Sequence, residues 1–197
     1  MRKFERLAEP DFLTGRWEQW GLEWERRLNE NRGAEFHWHK IGGEKVNDKL
    51  LPLLKAQTQE HCSFCDFVPI APPSIETIEH FRPKSTFPRE AYHWNNLYFC
   101  CMHCQQKGAE YSEALLRPDS DDYEFDRYFR WNFISGEIEV NTLASAGDQE
   151  RARVTIKTYR LNDDHPRLRK LWLQEDGKDR AFALELRPYR DYAQEEV

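Results

Sequence analysis

Four cysteines stand as two Cys-x-x-Cys pairs, Cys62/Cys65 and Cys101/Cys104, and between them lies Ile78-Glu79-His80-Phe81-Arg82-Pro83-Lys84. Two such pairs a few tens of residues apart can place four thiolates in a tetrahedron around Zn2+. The chain between them then becomes a loop closed at its base, and a structural zinc can contribute about 10–16 kcal/mol to the folding of a small unit. A disulfide framework would suit a secreted chain, but Met1-Arg2-Lys3-Phe4-Glu5-Arg6 is charged and has no apolar segment behind it, unlike a signal peptide. A thioredoxin-like redox motif needs one Cys-x-x-Cys beside a βαβ pattern, not two separated pairs. The fifth thiol, Cys100, points away from Cys101 if the segment is a strand, and reads as a small buried apolar residue.

An acidic residue, then His, then Asn some sixteen residues on and a polar side chain at the start of a helix suit metal-assisted phosphodiester hydrolysis. A neutral imidazole at His80 can take a proton from water. A hard cation, Mg2+ or Mn2+, against the phosphate would stabilise the charge that builds there. Such ions favour oxygen ligands, which Glu79 and the Gln105 amide can supply. Asn96 can hydrogen-bond the backbone of the histidine loop and fix the aim of the ring; strand alternation leaves Asn95 as the other choice. Arg82, Lys84 and Lys107 are the cations nearest this chemistry and the candidates for meeting a nucleic-acid backbone. His37 and His39, with aromatic neighbours and no cysteine nearby in sequence, read as packing or hydrogen-bonding histidines. Asp119, Asp121 and Asp122 read as a capping cluster, not a second metal site.

The elements that must position these groups are legible in outline. Residues 12–30 carry Trp17, Trp20, Leu22, Trp24 and Leu28 at mostly helical spacing, broken by Gly15 and Gly21. A second helix fits Glu44–Thr58, its regularity limited by Pro52. Residues 68–74 are a proline-rich connector to a strand over Ile75–Phe81. Leu97–Cys100 reads as another strand, and Cys104 should open a helix after the second cysteine pair. Tyr128–Phe133 and Glu137–Asn141 flank a turn and predict a β-hairpin. Residues 148–161 predict a helix with Asp148 as N-cap, and a last helix should begin at Pro166 and run through Trp172.

With 14% aromatic residues and seven tryptophans, the 197-residue chain can bury a real core although a third of it is charged. The net charge of −6 has the wrong sign for coating nucleic acid unaided, although Arg151–Lys170 holds seven Lys/Arg against Asp163 and Asp164. No apolar run reaches the roughly 18 residues of a membrane span, so no membrane partner is expected and the cytoplasm is the expected location.

Cys62-x-x-Cys65, Ile78-Glu79-His80-Phe81-Arg82-Pro83-Lys84, Trp94-Asn95-Asn96-Leu97 and Cys101-x-x-Cys104-Gln105-x-Lys107-Gly108 together resemble the zinc-knuckle branch of the HNH endonucleases. The Ile78–Lys84 string, Leu116–Asp119, Tyr128–Trp131, Gly136–Ile138 and Thr155-Ile156 with Leu161-Asn162 resemble, more narrowly, the PtuB-like nucleases of Septu and retron-associated anti-phage systems. The likeness covers roughly residues 59–172. It implies an α+β fold: a ββα-metal core over 59–118, stapled by a four-cysteine zinc site. A tryptophan-rich helical extension over 1–58 and a hairpin-and-helix extension over 119–197 would flank it. It further implies His80 as general base, Asn96 as the structural asparagine, and Glu79 and Gln105 as ligands of the catalytic cation. At Gln105 the chain departs from the usual His or Asn, and glutamine is the weaker ligand. The expected substrate is nucleic acid, DNA before RNA, and the expected partner an ATPase of the SMC/ABC type.

Overall fold

The computed structural model describes residues 1–68 and 76–163 together with His165 and Arg169. The first helix, α1, spans Trp17–Glu30 and buries Gly21, Trp24 and Leu28, the i, i+3, i+7 stripe of an amphipathic helix. Gly15, with φ of +70°, belongs to the turn ahead of it. Gly21 does not break the helix. A Cβ there would lie 2.2 Å from the carbonyl oxygen of Arg89, so the missing side chain lets α1 press on the 3-10 turn Pro88–Glu90 in the histidine loop.

A two-residue ribbon follows, β1 (Lys40–Ile41) antiparallel to β2 (Glu44–Lys45), turning at Gly42-Gly43 with both φ angles positive. It leads into α2, Val46–Gln57, which tolerates Pro52 and buries Val46, Leu50 and Leu54. Next, β3 (Thr77–His80) pairs antiparallel with β4 (Leu97–Cys100), in the register Thr77–Cys100, Glu79–Tyr98 and His80–Leu97. Between them the chain makes the turn Pro88–Glu90 and a second 3-10 turn, Trp94–Asn96. The helix expected from Cys104 onward is a single turn, α3, Met102–Gln105, beginning inside the cysteine pair. It ends because Gly108 takes up a left-handed φ of +57° and Lys107 is drawn inward.

After the one-turn helix α4 (Phe125–Tyr128), the hairpin forms where the alternation placed it: β5 (Phe129–Asn132) against β6 (Glu137–Val140). The Asn132 side chain accepts from the backbone N–H of Ile134 and Ser135 in its turn. The last described helix, α5, spans Ala146–Thr158 and is capped by Ser145, whose hydroxyl accepts from the N–H of Asp148. Asp148 is therefore a first-turn residue paired with Arg127, not the cap. The connector and the helix expected from Pro166 lie largely outside the described residues.

One hydrophobic cluster draws on all three expected segments: Leu13, Leu50 and Leu54 from the first, Phe64, Tyr98 and Phe99 from the second, and Tyr123, Ile138 and Tyr159 from the third. The molecule is thus a mixed α+β unit with three two-stranded sheets among the described residues. The flanking regions share its core instead of standing apart from it. Among the described residues no helix is long and apolar enough to cross a membrane.

Candidate metal centre and active-site cleft

The Cys62 and Cys65 pair sits on a tight turn closed by Asp66 N–H donating to the Cys62 carbonyl, with Asp66 at φ +61°. The second pair follows β4 directly. Register therefore carries one pair to the other: Ser63 N–H donates to Phe99 O, the last-but-one residue of β4. The four sulfurs of Cys62, Cys65, Cys101 and Cys104 lie within 4.8 Å of one another, all buried. Cys65 and Cys101 are 3.7 Å apart, far beyond a disulfide bond. Sulfurs held about 2.3 Å from a tetrahedral zinc would lie about 3.8 Å from each other. The cluster therefore fits a structural zinc. The backbone N–H of Cys101 donates to the Cys62 sulfur at 3.4 Å, the kind of contact that stabilises a thiolate. The thiol of Cys101 is held down to about 5, chiefly by bonds from Cys100 and Cys104. Cys100 is buried and outside the foursome, its thiol turned to the Cys101 carbonyl.

His80 ends β3, and its ring is fixed from several sides. Nε2 lies 2.9 Å from the carbonyl oxygen of Ala91, so it carries the proton and Nδ1 is the unprotonated nitrogen. Trp38 stacks on the ring at 5.7 Å and 19°, and Phe36 meets it edge-on at 5.5 Å. Burial first, then the nearby Lys84 ammonium, lower its pKa to about 3, so the imidazole is neutral throughout the physiological range. Asn96 clamps the loop behind it. Its Oδ1 accepts from Arg82 N–H at 2.7 Å, and its Nδ2 donates to the carbonyls of Arg82 and Glu90, both at 3.0 Å. Asn95 is exposed and makes no such clamp. Asn96 reaches the loop from the 3-10 turn, not from β4 itself.

His80, Glu79, Lys84 and Gln105 line a single cleft of about 460 Å3, together with Arg32 and an apolar wall of Trp24, Leu28 and Phe36. Sequence reasoning did not find that wall. Trp24 donates its indole N–H to the Lys84 carbonyl at 2.8 Å, so α1 braces the loop that carries the cations. The signal was the alternation in Phe36-His37-Trp38-His39, which sends both bulky aromatics to the same side, onto His80.

Lys107 is corrected by the structure. It is not a surface cation but 3% exposed, donating to the His80 carbonyl at 3.0 Å and to a carboxylate oxygen of Glu79 at 2.8 Å. Burial raises the Glu79 pKa to about 7 against the pull of this ammonium. Arg82 faces a different hollow, beside Asn95 and Arg117, and spends its guanidinium on Glu90 and Tyr111. Of the three expected backbone-binding cations only Lys84 reaches the His80 cleft, half-buried with its ammonium 5.1 Å from the Phe36 ring. Within the basic run after residue 150, Arg169 is buried, donating to the Gly136 and Leu161 carbonyls, and Arg160 pairs with Asp163. Asp119, in the acidic turn, binds Arg6 at 2.7 Å and the Tyr98 hydroxyl at 2.5 Å.

No family model matches the chain, and no significant match was found among curated proteins.

Proposed function

We propose that the chain is a metal-dependent endonuclease of the HNH type, cleaving DNA, or alternatively RNA, at the His80 cleft. The observation that carries this reading is the convergence of a backbone-anchored neutral histidine, a carboxylate, an amide and two cations on one cleft, beside a buried four-cysteine cluster. Glu79 and Gln105 offer the oxygen donors that suit Mg2+ or Mn2+, and such an ion, when bound, would offset charge developing on a phosphate. His80 Nδ1 is the proton acceptor for a water, and the Ala91 carbonyl keeps the opposite nitrogen protonated so that the tautomer does not change. Lys84 and Arg32 draw the polyanion to the cleft mouth, and the Trp24 and Phe36 wall limits water. The acidic net charge and the motif resemblance together support delivery of the substrate by an ATPase partner of the SMC/ABC type.

A second reading, a catalytically idle zinc module, is favoured by one observation: the Glu79 carboxylate already holds the Lys107 ammonium. A cleavage assay on plasmid DNA and on RNA with Mg2+ or Mn2+, alone and with the ATPase, separates the two. The nuclease reading expects strand breaks that need the ion and stop with EDTA. Intact substrate under every condition would support the idle module.

A further inference from the structure

On the outer face of the segment that covers His80 lies a second group of ligating side chains. Phe36 and Trp38 turn inward onto the His80 ring; His37 and His39 turn the other way, where they meet Glu23 from α1. One ligating atom from each of the three lies within 4.8 Å of the others. His39 Nε2 is 3.7 Å from a Glu23 carboxylate oxygen, longer than a hydrogen bond and close to the roughly 3.4 Å that separates ligands on a tetrahedral zinc. The group is also held in place. The His39 ring stacks on Trp20 at 4.8 Å and 12°, and the Tyr92 hydroxyl donates to the His37 carbonyl at 2.5 Å. His37 Nδ1 accepts a hydrogen bond from the Arg27 guanidinium at 2.6 Å, so its lone pair is already directed at a cation. Arg27 has a second anchor in the Glu35 carbonyl, which it can keep if that contact is replaced.

We infer that Glu23, His37 and His39 form a further metal site, for a divalent transition ion of the imidazole-seeking kind such as Zn2+ or Co2+, distinct from the four-cysteine site and from the cation site proposed at Glu79 and Gln105. Two imidazoles and one carboxylate are a common ligand set for such ions and leave a coordination position open to water. Glu23 is half-buried and His37 exposed, so an ion can enter from solvent. Binding there would tie α1 to the aromatic strip over His80.

The test uses the full chain with its cysteine site already loaded with zinc and excess Mg2+ present to occupy the oxygen donors of Glu79 and Gln105, titrated with Co2+ and followed by visible absorption and elemental analysis. About one further cobalt ion per chain should bind, with weak d–d bands and no thiolate charge transfer, since no sulfur lies in the set. His37→Gln, at an exposed position, and Glu23→Gln should each lose that second equivalent while keeping their zinc. Saturation at the cysteine site alone, or a second equivalent that survives both substitutions, would overturn the assignment.

Discussion

His80 and its neighbours show how a few contacts settle what a side chain can do. Burial and the Lys84 charge keep the ring neutral, and the Ala91 carbonyl fixes which nitrogen carries the proton. Asn96 holds the loop that makes this possible, with three hydrogen bonds to two loop residues from a position 3% exposed. Asn96→Ala would leave buried backbone groups without partners, so it should destabilise the fold by about 2–4 kcal/mol in denaturant unfolding. Asn95→Ala, at an exposed site, should be nearly neutral in the same experiment. Lys107 shows the opposite lesson. Its place after the second cysteine pair suggests a phosphate clamp, yet the turn closed by Gly108 drives it inward to Glu79. Nothing in the local sequence distinguishes a lysine that will be buried against a carboxylate twenty-eight residues away in the chain from one left in solvent.

At the scale of elements, the close approach of α1 to the histidine loop is the contact on which the cleft wall depends. Gly21→Ala tests it. Alanine favours a helix by about 1 kcal/mol over glycine, but a Cβ 2.2 Å from the Arg89 carbonyl forces the helix or the loop to move. The expected outcome is a net loss of about 1–3 kcal/mol, read as a lower melting temperature, and a weaker Trp24 bond to Lys84. The strand Leu97–Cys100, a short continuous apolar run buried at every position, and the hairpin, with its alternation, were legible because both signals are local. The second helix was too, since Val46, Leu50 and Leu54 repeat at helical spacing. The contacts that shape the cleft were not. Gly21 looks like a helix breaker until the loop it touches is known, and Ser145 replaces Asp148 as cap because the helix begins three residues earlier than an Asp148 cap would place it. The four cysteines were the most legible part of the site, since their spacing encodes their chemistry directly.

Across the whole molecule, two devices join segments far apart in the chain. The cysteine cluster ties the turn after α2 to the end of β4. A chain of this size has a net stability of only about 5–15 kcal/mol, comparable to what a structural zinc contributes. Chelation should therefore unfold it or abolish its cooperative melt, and Cys62→Ser should lower the melting temperature and the zinc content together. The second device is Asp119, which joins Arg6 near the N-terminus to Tyr98 on β4 and to Arg117. Burial alone would raise this carboxyl, but the guanidiniums of Arg6 and Arg117 outweigh it and hold it below its ordinary value of 3.8. Because the folded pKa is the lower one, this contribution is fully present above pH 3.8 and is lost as pH falls through the folded value. Asp119→Ala should cost about 3–5 kcal/mol near neutral pH, with the gap from the parent protein narrowing in acid, as urea unfolding at a series of pH values would show.

The most direct measurement for the proposed chemistry is cleavage of a nucleic-acid substrate by His80→Ala beside the unaltered chain. Both proteins should be matched for zinc content and melting temperature and assayed with the same Mg2+ or Mn2+ and the same partner. A positioned general base contributes about 10^2–10^4-fold, so the substitution should reduce the rate by at least about 100-fold while the zinc stays bound. Cleavage by His80→Ala at the rate of the unaltered protein would contradict the account.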